Sequence, residues 1–231
     1  MQRVFTLEEL TERLGRTARS IQHAVQDGKL NGHKVRDVWT FNWHDVLLWL
    51  ESEMSDVDSL EPEQFEKVAT YSEPPEQEIS FADLINLEAI TVSLAAKTQP
   101  SVIREMVKLA SNTGLLWDPE ELEEELRQRE AMASTALEDG VAILHPRRPP
   151  ANIIGDAFLA VALAPHGVYF GAREQTRVFF LLCCPDDVTY LRSLSRLARV
   201  LKTPEVIDSL LKCESAVEIK ELLLSLEESS N

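Results

Sequence analysis

Apolar positions in this chain recur at helical spacing at both ends and gather into short continuous runs in the middle. Leu7, Leu10 and Leu14 follow Thr6-Leu7-Glu8-Glu9, where a threonine can cap a first turn and Glu9 can reach back to it. A helix therefore starts there, and Gly15 ends it. Thr17 to Gln26 predicts a second helix, with Ile21 and Val25 inward and Gly28 as its stop. The run HKVRDVWTF fits a tight hairpin with Arg36-Asp37 at the turn and Val35 opposite Val38 or Trp39. Asn42 then caps a third helix carrying Val46, Leu47, Trp49 and Leu50.

Residues 53–80 break the pattern. They hold nine acidic residues and three prolines with no sustained apolar period, which predicts an acidic linker with room for one helical turn around Phe65. Periodicity returns at Phe81. Ile90 and Val92 begin a strand, and Val102, Ile103, Met106, Val107 and Ala110 mark an amphipathic helix. Asp118-Pro119 opens a charged helix running to about Glu130. Residues 141–144, 156–163 and 177–183 read as buried strands. Helices follow over 187–201, after Thr203-Pro204, and behind the Ser215/Glu218 capping box. Nearly all-apolar strands flanked by helices predict an α/β sandwich with both sheet faces covered.

Charge sharpens this division. The chain carries a formal net charge of −16, yet residues 1–50 hold seven Lys and Arg against six Asp and Glu, so all of the negative excess lies beyond residue 50. Two units with different tasks are expected, 1–52 and 81–231, joined by 53–80. No apolar run approaches the roughly 18 residues of a membrane span, and the opening MQRVFTLEEL lacks a secretory layout, so a cytoplasmic protein with no membrane insertion is expected. Cys183 and Cys184 are adjacent in an apolar run, which suits reduced core residues better than a disulfide framework.

The candidate chemistry sits at His145, where the apolar run Val141-Ala142-Ile143-Leu144 stops. A nucleophile presented at a strand end, a metal ligand, or the last ordered residue of a strand would each fit that position. A metal is disfavoured because no second histidine stands at ligand spacing and His166 occurs alone in Pro-His-Gly. Neither a metal nor another cofactor is expected.

From about Phe81 to Leu226 the sequence resembles the type-2 IIA domain of the bacterial phosphoenolpyruvate-dependent phosphotransferase system, in its fructose/mannitol and nitrogen-regulatory branch. The family's run into its phosphorylated histidine, RE..xSTGIG.GIAIPH, is matched here by Arg129, Glu130, Ser134, Thr135, Gly140, Ala142, Ile143 and His145. Gly167-Val168-Tyr169-Phe170, Leu181-Leu182 and Leu191-x-x-Leu194-Ser195 match its second half. The resemblance implies a mixed-sheet α/β sandwich in which His145 accepts a phosphoryl group from an HPr-type phosphocarrier protein. Neutral imidazole is nucleophilic near pH 7, and Arg129 with the Ser134 and Thr135 hydroxyls would meet the phosphoryl oxygens. The family's prolyl residue before the histidine is Leu144 here, Pro146 follows it, and two loop glycines are Ala136 and Glu138. Tyr190 stands where the family's HLxxLS pattern has its second histidine; it can donate a hydrogen bond but supplies no positive charge.

Residues 4–50 resemble the excisionase or MerR-type winged helix-turn-helix module through Thr6, Glu9, Leu14, Gly15, Gly28, Leu30, Val35, Trp39, Phe41 and Trp49-Leu50. That resemblance implies a small core of Trp39, Phe41 and Trp49. It places DNA contacts on Arg16, Arg19, Gln22 and His23 of the recognition helix and on Lys34 and Arg36 of the wing. So few cations predict weak binding by one copy, and hence a homodimer on an operator. Together the two resemblances imply a bacterial regulator whose DNA-binding head is governed by phosphorylation of His145. The alternatives are a phosphocarrier of a sugar phosphotransferase system and an interaction domain that takes no phosphate.

Overall fold

The computed structural model describes residues 4–53, 57–70 and 79–230. Strand β1 (Val4–Thr6) leads directly into α1 (Leu7–Leu14). The capping box forms as expected, with Glu9 Oε2 accepting from the Thr6 backbone N–H and the Thr6 hydroxyl accepting from Glu9 N. Gly15 takes φ +63° and turns the chain into α2 (Ala18–Gln26), whose inward side chains are Ile21 and Ala24, with Val25 only half-buried. Strands β2 (His33–Val35) and β3 (Val38–Asn42) form the expected hairpin, pairing Val35 with Val38. Arg36 and Asp37 both have positive φ, as a tight turn of that hand requires. The unpredicted β1 completes a three-stranded antiparallel sheet in the order β1-β3-β2. Helix α3 (Trp43–Ser52) starts at Asn42, whose side chain accepts from His44 N.

The segment expected as a sparse linker holds helix α4 (Pro62–Thr70), two and a half turns rather than one. Its few apolar residues explain why it orders: Phe65 and Ala69 are buried, as are Val57 and Leu60 just before it. They join the apolar residues of α1 and α3 to the helical layer over the following sheet in one continuous cluster. Polar contacts fix the arrangement. Val57 N donates to Asp139 Oδ2, the Ser195 hydroxyl donates to the Pro62 carbonyl, and Arg199 pairs with Glu66. Residues 71–78 of the expected linker lie outside the described part of the chain.

Beyond it come α5 (Phe81–Leu84), β4 (Ile90–Thr91), α6 (Gln99–Ser111), α7 (Pro119–Met132), β5 (Ala136–Leu137), β6 (Val141–Leu144), β7 (Phe158–Val168), β8 (Thr176–Cys183), α8 (Asp187–Leu201), α9 (Val206–Leu211) and α10 (Ala216–Ser230). The strands form a mixed sheet in the order β4-β7-β8-β6-β5, with β6 parallel to β8 and β7 antiparallel to it. Alternation along the strands sorts the core into two layers. Ala142, Leu144, Ala160, Phe179 and Leu181 face α6 and α7, while Val141, Ile143, Val161, Phe180 and Leu182 face α8, α9 and α10. Both faces are covered, as the continuous apolar runs imply. Strand β7 runs further than the expected 156–163 because Pro165-His166-Gly167 is a bulge inside it rather than its end. Cys183 and Cys184 are buried free thiols. No helix among the described residues is long and apolar enough to cross a membrane.

Candidate functional site

Strand β6 ends at Leu144, paired with Leu181 of β8, and His145 is the next residue. The His145 Nδ1 lies 2.9 Å from the Ile143 carbonyl oxygen, which can only accept, so Nδ1 carries a proton and Nε2 is the nitrogen turned toward Arg129. Arg129 comes from the last turn of α7. Its Nη1 donates to the Ala133 carbonyl at 2.9 Å, which pins the guanidinium, and its Nε lies 3.1 Å from His145 Nε2. Tyr190, in the first turn of α8, brings its ring to 5.3 Å from the imidazole. The structure thus assembles three of the expected site residues around one ring nitrogen.

Ser134 and Thr135 line the same small recess, but their hydroxyls point elsewhere. The Thr135 hydroxyl and backbone N–H both donate to the Glu130 carboxylate, and the Ser134 hydroxyl donates to the Phe170 carbonyl. These bonds shape the turn between α7 and β5. Gly171 packs against that turn at φ +126°, and a Cβ there would meet Ser134 Oγ at 2.2 Å. Arg147 and Arg148 are exposed beyond the histidine.

The strand end does not present the imidazole to solvent. His145 is only 5% exposed and Arg129 4%, because the end of α3 lies over them. Glu51, the ninth residue of that helix, inserts its carboxylate among all three site residues. Its Oε2 lies 2.9 Å from Arg129 Nη2 and 3.0 Å from His145 Nε2, and its Oε1 accepts from the Tyr190 hydroxyl at 2.8 Å. Burial alone would raise the Glu51 carboxyl, but His145, Arg129 and the tyrosine hydroxyl outweigh it and draw it down to about 2. The Tyr190 phenol moves the other way, well above its ordinary value, through burial first and the facing carboxylate second. Sequence reasoning missed Glu51. The one signal for it is a carboxylate in the last turn of a helix, directly after the apolar run Val46-Leu47-Leu48-Trp49-Leu50, where the helix dipole disfavours a negative charge.

The residues expected to contact DNA take no part in the hydrogen bonds described around His145, Arg129 and Tyr190, and they differ in exposure. Arg19 and His23 of α2 and Lys34 and Arg36 of the hairpin are exposed, and Gln22 is half-buried. His23 Nδ1 is 2.9 Å from Asp27, and the Lys34 ammonium sits 5.3 Å from the centre of the Trp39 ring. Arg16 is separate from this group: it pairs with Glu53 at 2.5 Å and stacks its guanidinium over Trp49. Phe41 and Trp49 are buried in the core as expected, and Trp39 is half-buried beside Phe41. Among the described residues, no cluster of three or more potential ligands could hold a metal.

Residues 81–230 thus form an α/β sandwich around a mixed five-stranded sheet, with a histidine just past a strand end and an arginine beside it from the last turn of α7. The chain belongs to the family described as "Phosphoenolpyruvate-dependent sugar phosphotransferase system, EIIA 2", whose model matches residues 83–226. It is 28% identical over 141 residues to the PTS system fructose-specific EIIABC component of Bacillus subtilis, covering 59% of this chain but 22% of that protein. It is 25% identical to the PTS system fructose-specific EIIA component of Haloferax volcanii, covering 62% of this chain and 93% of that one. The nitrogen regulatory protein IIA-Ntr from Neisseria meningitidis superposes with a TM-score of 0.54 at 26% identity, covering 61% of this chain and 97% of that structure. All three matches leave about two fifths of this chain unaccounted for.

Proposed function

We propose that this chain is a bacterial regulator in which an HPr-type donor phosphorylates His145 and thereby changes how a DNA-binding head is held. The observation that supports it is the seat of the head: residues 4–52 deliver Glu51 into the site that Arg129 and His145 form. A sequence-remote unit engaged at that nitrogen must respond to whatever is attached there. The reading of the head as a winged helix-turn-helix draws support from the α1-turn-α2 pair, the β2-β3 hairpin beside it, and four exposed basic or hydrogen-bonding side chains on those elements, Arg19, His23, Lys34 and Arg36. These side chains remain open while Glu51 is seated, so phosphorylation would act on the orientation of the DNA face rather than by uncovering it.

Retardation of genomic DNA fragments at low salt, with and without prior phosphorylation, tests this function. Binding should differ several-fold between the two forms, and Arg19→Ala with Lys34→Ala should weaken it and flatten its salt dependence. If neither form retards any fragment, the head contacts protein instead. The fructose-specific relatives support a second reading, a sugar phosphocarrier, which requires that phosphate on His145 pass onward to a IIB partner; the regulator does not require that transfer.

A further inference from the structure

We infer that Glu51 is a built-in stand-in for the phosphoryl group, so that seating of the head and phosphorylation of His145 exclude each other. The inference rests on the reading of His145 as the acceptor and adds what holds the acceptor idle. One carboxylate satisfies the three groups that line the nitrogen: the Arg129 guanidinium, the His145 Nε2 and the Tyr190 hydroxyl. Arg129 is the partner a transferred phosphoryl would need for its charge. Glu51 Oε2 stands 3.0 Å from Nε2, inside the space that a phosphorus bonded to that nitrogen and its three oxygens would fill, so the group and the carboxylate cannot both be there.

The hydrogen bonding at Nε2 supports the same conclusion. As a partner of the Arg129 N–H, Nε2 presents its lone pair; as a partner of the Glu51 carboxylate, it must carry a proton. The two contacts are alternatives, and only the first leaves a nucleophile. Seated Glu51 therefore fills the site and, in the second arrangement, also occupies the lone pair. Tyr190 acquires a role here. Where the resemblance leads one to expect a second histidine, the chain has a neutral donor whose hydroxyl holds Glu51 Oε1. That suits a latch for a carboxylate borne by the same chain.

With Glu51 withdrawn, the Nε2 lone pair forms the new bond to phosphorus while Nδ1 keeps its proton on the Ile143 carbonyl. The donor's phosphorus–nitrogen bond breaks, its electron pair stays on the donor nitrogen, and that nitrogen takes up a proton. The resulting dianion faces a carboxylate that has lost its cationic partner, so the head cannot return until the phosphoryl group leaves.

The test uses the full chain and phosphoramidate, a donor small enough to need no docking protein. Incorporation of acid-labile phosphate is followed for the wild type, Glu51→Ala and Glu51→Gln, the last keeping the size of the side chain in case the alanine variant folds poorly. Both variants should take up phosphate at least tenfold faster than the wild type. In the phosphorylated wild type, amides of residues 47–52 and 62–70 should lose their protection from hydrogen exchange. Equal or slower uptake by both variants, with His145 still phosphorylated, would overturn the stand-in and leave the acceptor standing. No uptake by any of the three would overturn the acceptor and the stand-in together.

Discussion

Glu51 carries a full charge in a buried site, and such a charge persists only when its partners repay the lost hydration. Arg129, His145 and Tyr190 do so, which is why the carboxyl falls from the ordinary 4.5 to about 2. A depressed acid pKa adds stability that is complete above the unfolded value and disappears as pH drops through the folded one. The wild type should therefore exceed Glu51→Gln in stability by roughly 3 kcal/mol above about pH 5, the size of a shift of that order. The gap should shrink as pH falls from 4.5 toward 2. Thermal melts of both proteins across that range would show it, and a pH-independent gap would contradict it. Arg129 should be the costliest single change in the site. Arg129→Met leaves Glu51 buried beside a neutral side chain, which typically costs about 3–5 kcal/mol. Adding Glu51→Gln to Arg129→Met should return part of that loss, a coupling that denaturant melts of the single and double variants would measure.

The elements divide by how far their partners lie along the chain. Sequence pattern locates β6, α6 and α8 well, because each carries its own apolar period and, in the helices, its own cap. It also places His145 at the end of a strand. Strands β1 and β5 are only three and two residues long, too short for any period to register, and exist because a neighbouring strand offers open backbone groups. Helix α4 was obscured by its composition: its acidic face reads as a solvated linker, and its burial depends on α8, more than 100 residues onward. Phe65 concentrates that dependence. Phe65→Ala should cost about 3–5 kcal/mol, the usual range for a large side chain removed from a core. It should also raise amide exchange in 62–70 far more than in α6, and uniform exchange across both helices would show that α4 contributes no anchor of its own. Glu51 was hidden for a similar reason. Its partners lie 78, 94 and 139 positions away, and a single sequence contains no sign of such pairing.

Across the whole molecule, the charge asymmetry separates a nearly neutral head from a strongly acidic remainder, yet the apolar core runs through both. The head is therefore held by ordinary packing through α3 and α4, with one charged contact inserted at its end. That contact is the point at which a phosphoryl group could act on the assembly. A unit charge about 4 Å from a like charge at a partly buried site costs ~4 kcal/mol, comparable with what seats the carboxylate. All of this requires His145 to be the phosphoryl acceptor. The most direct measurement is incubation of the full chain with phosphoenolpyruvate, enzyme I and an HPr-type carrier, followed by intact-mass analysis of the wild type, His145→Ala and His166→Ala. One added phosphate that is acid-labile and base-stable, lost in His145→Ala and kept in His166→Ala, is the result expected. Phosphate that survives in His145→Ala, or a wild type that takes up none from an active donor, would contradict it.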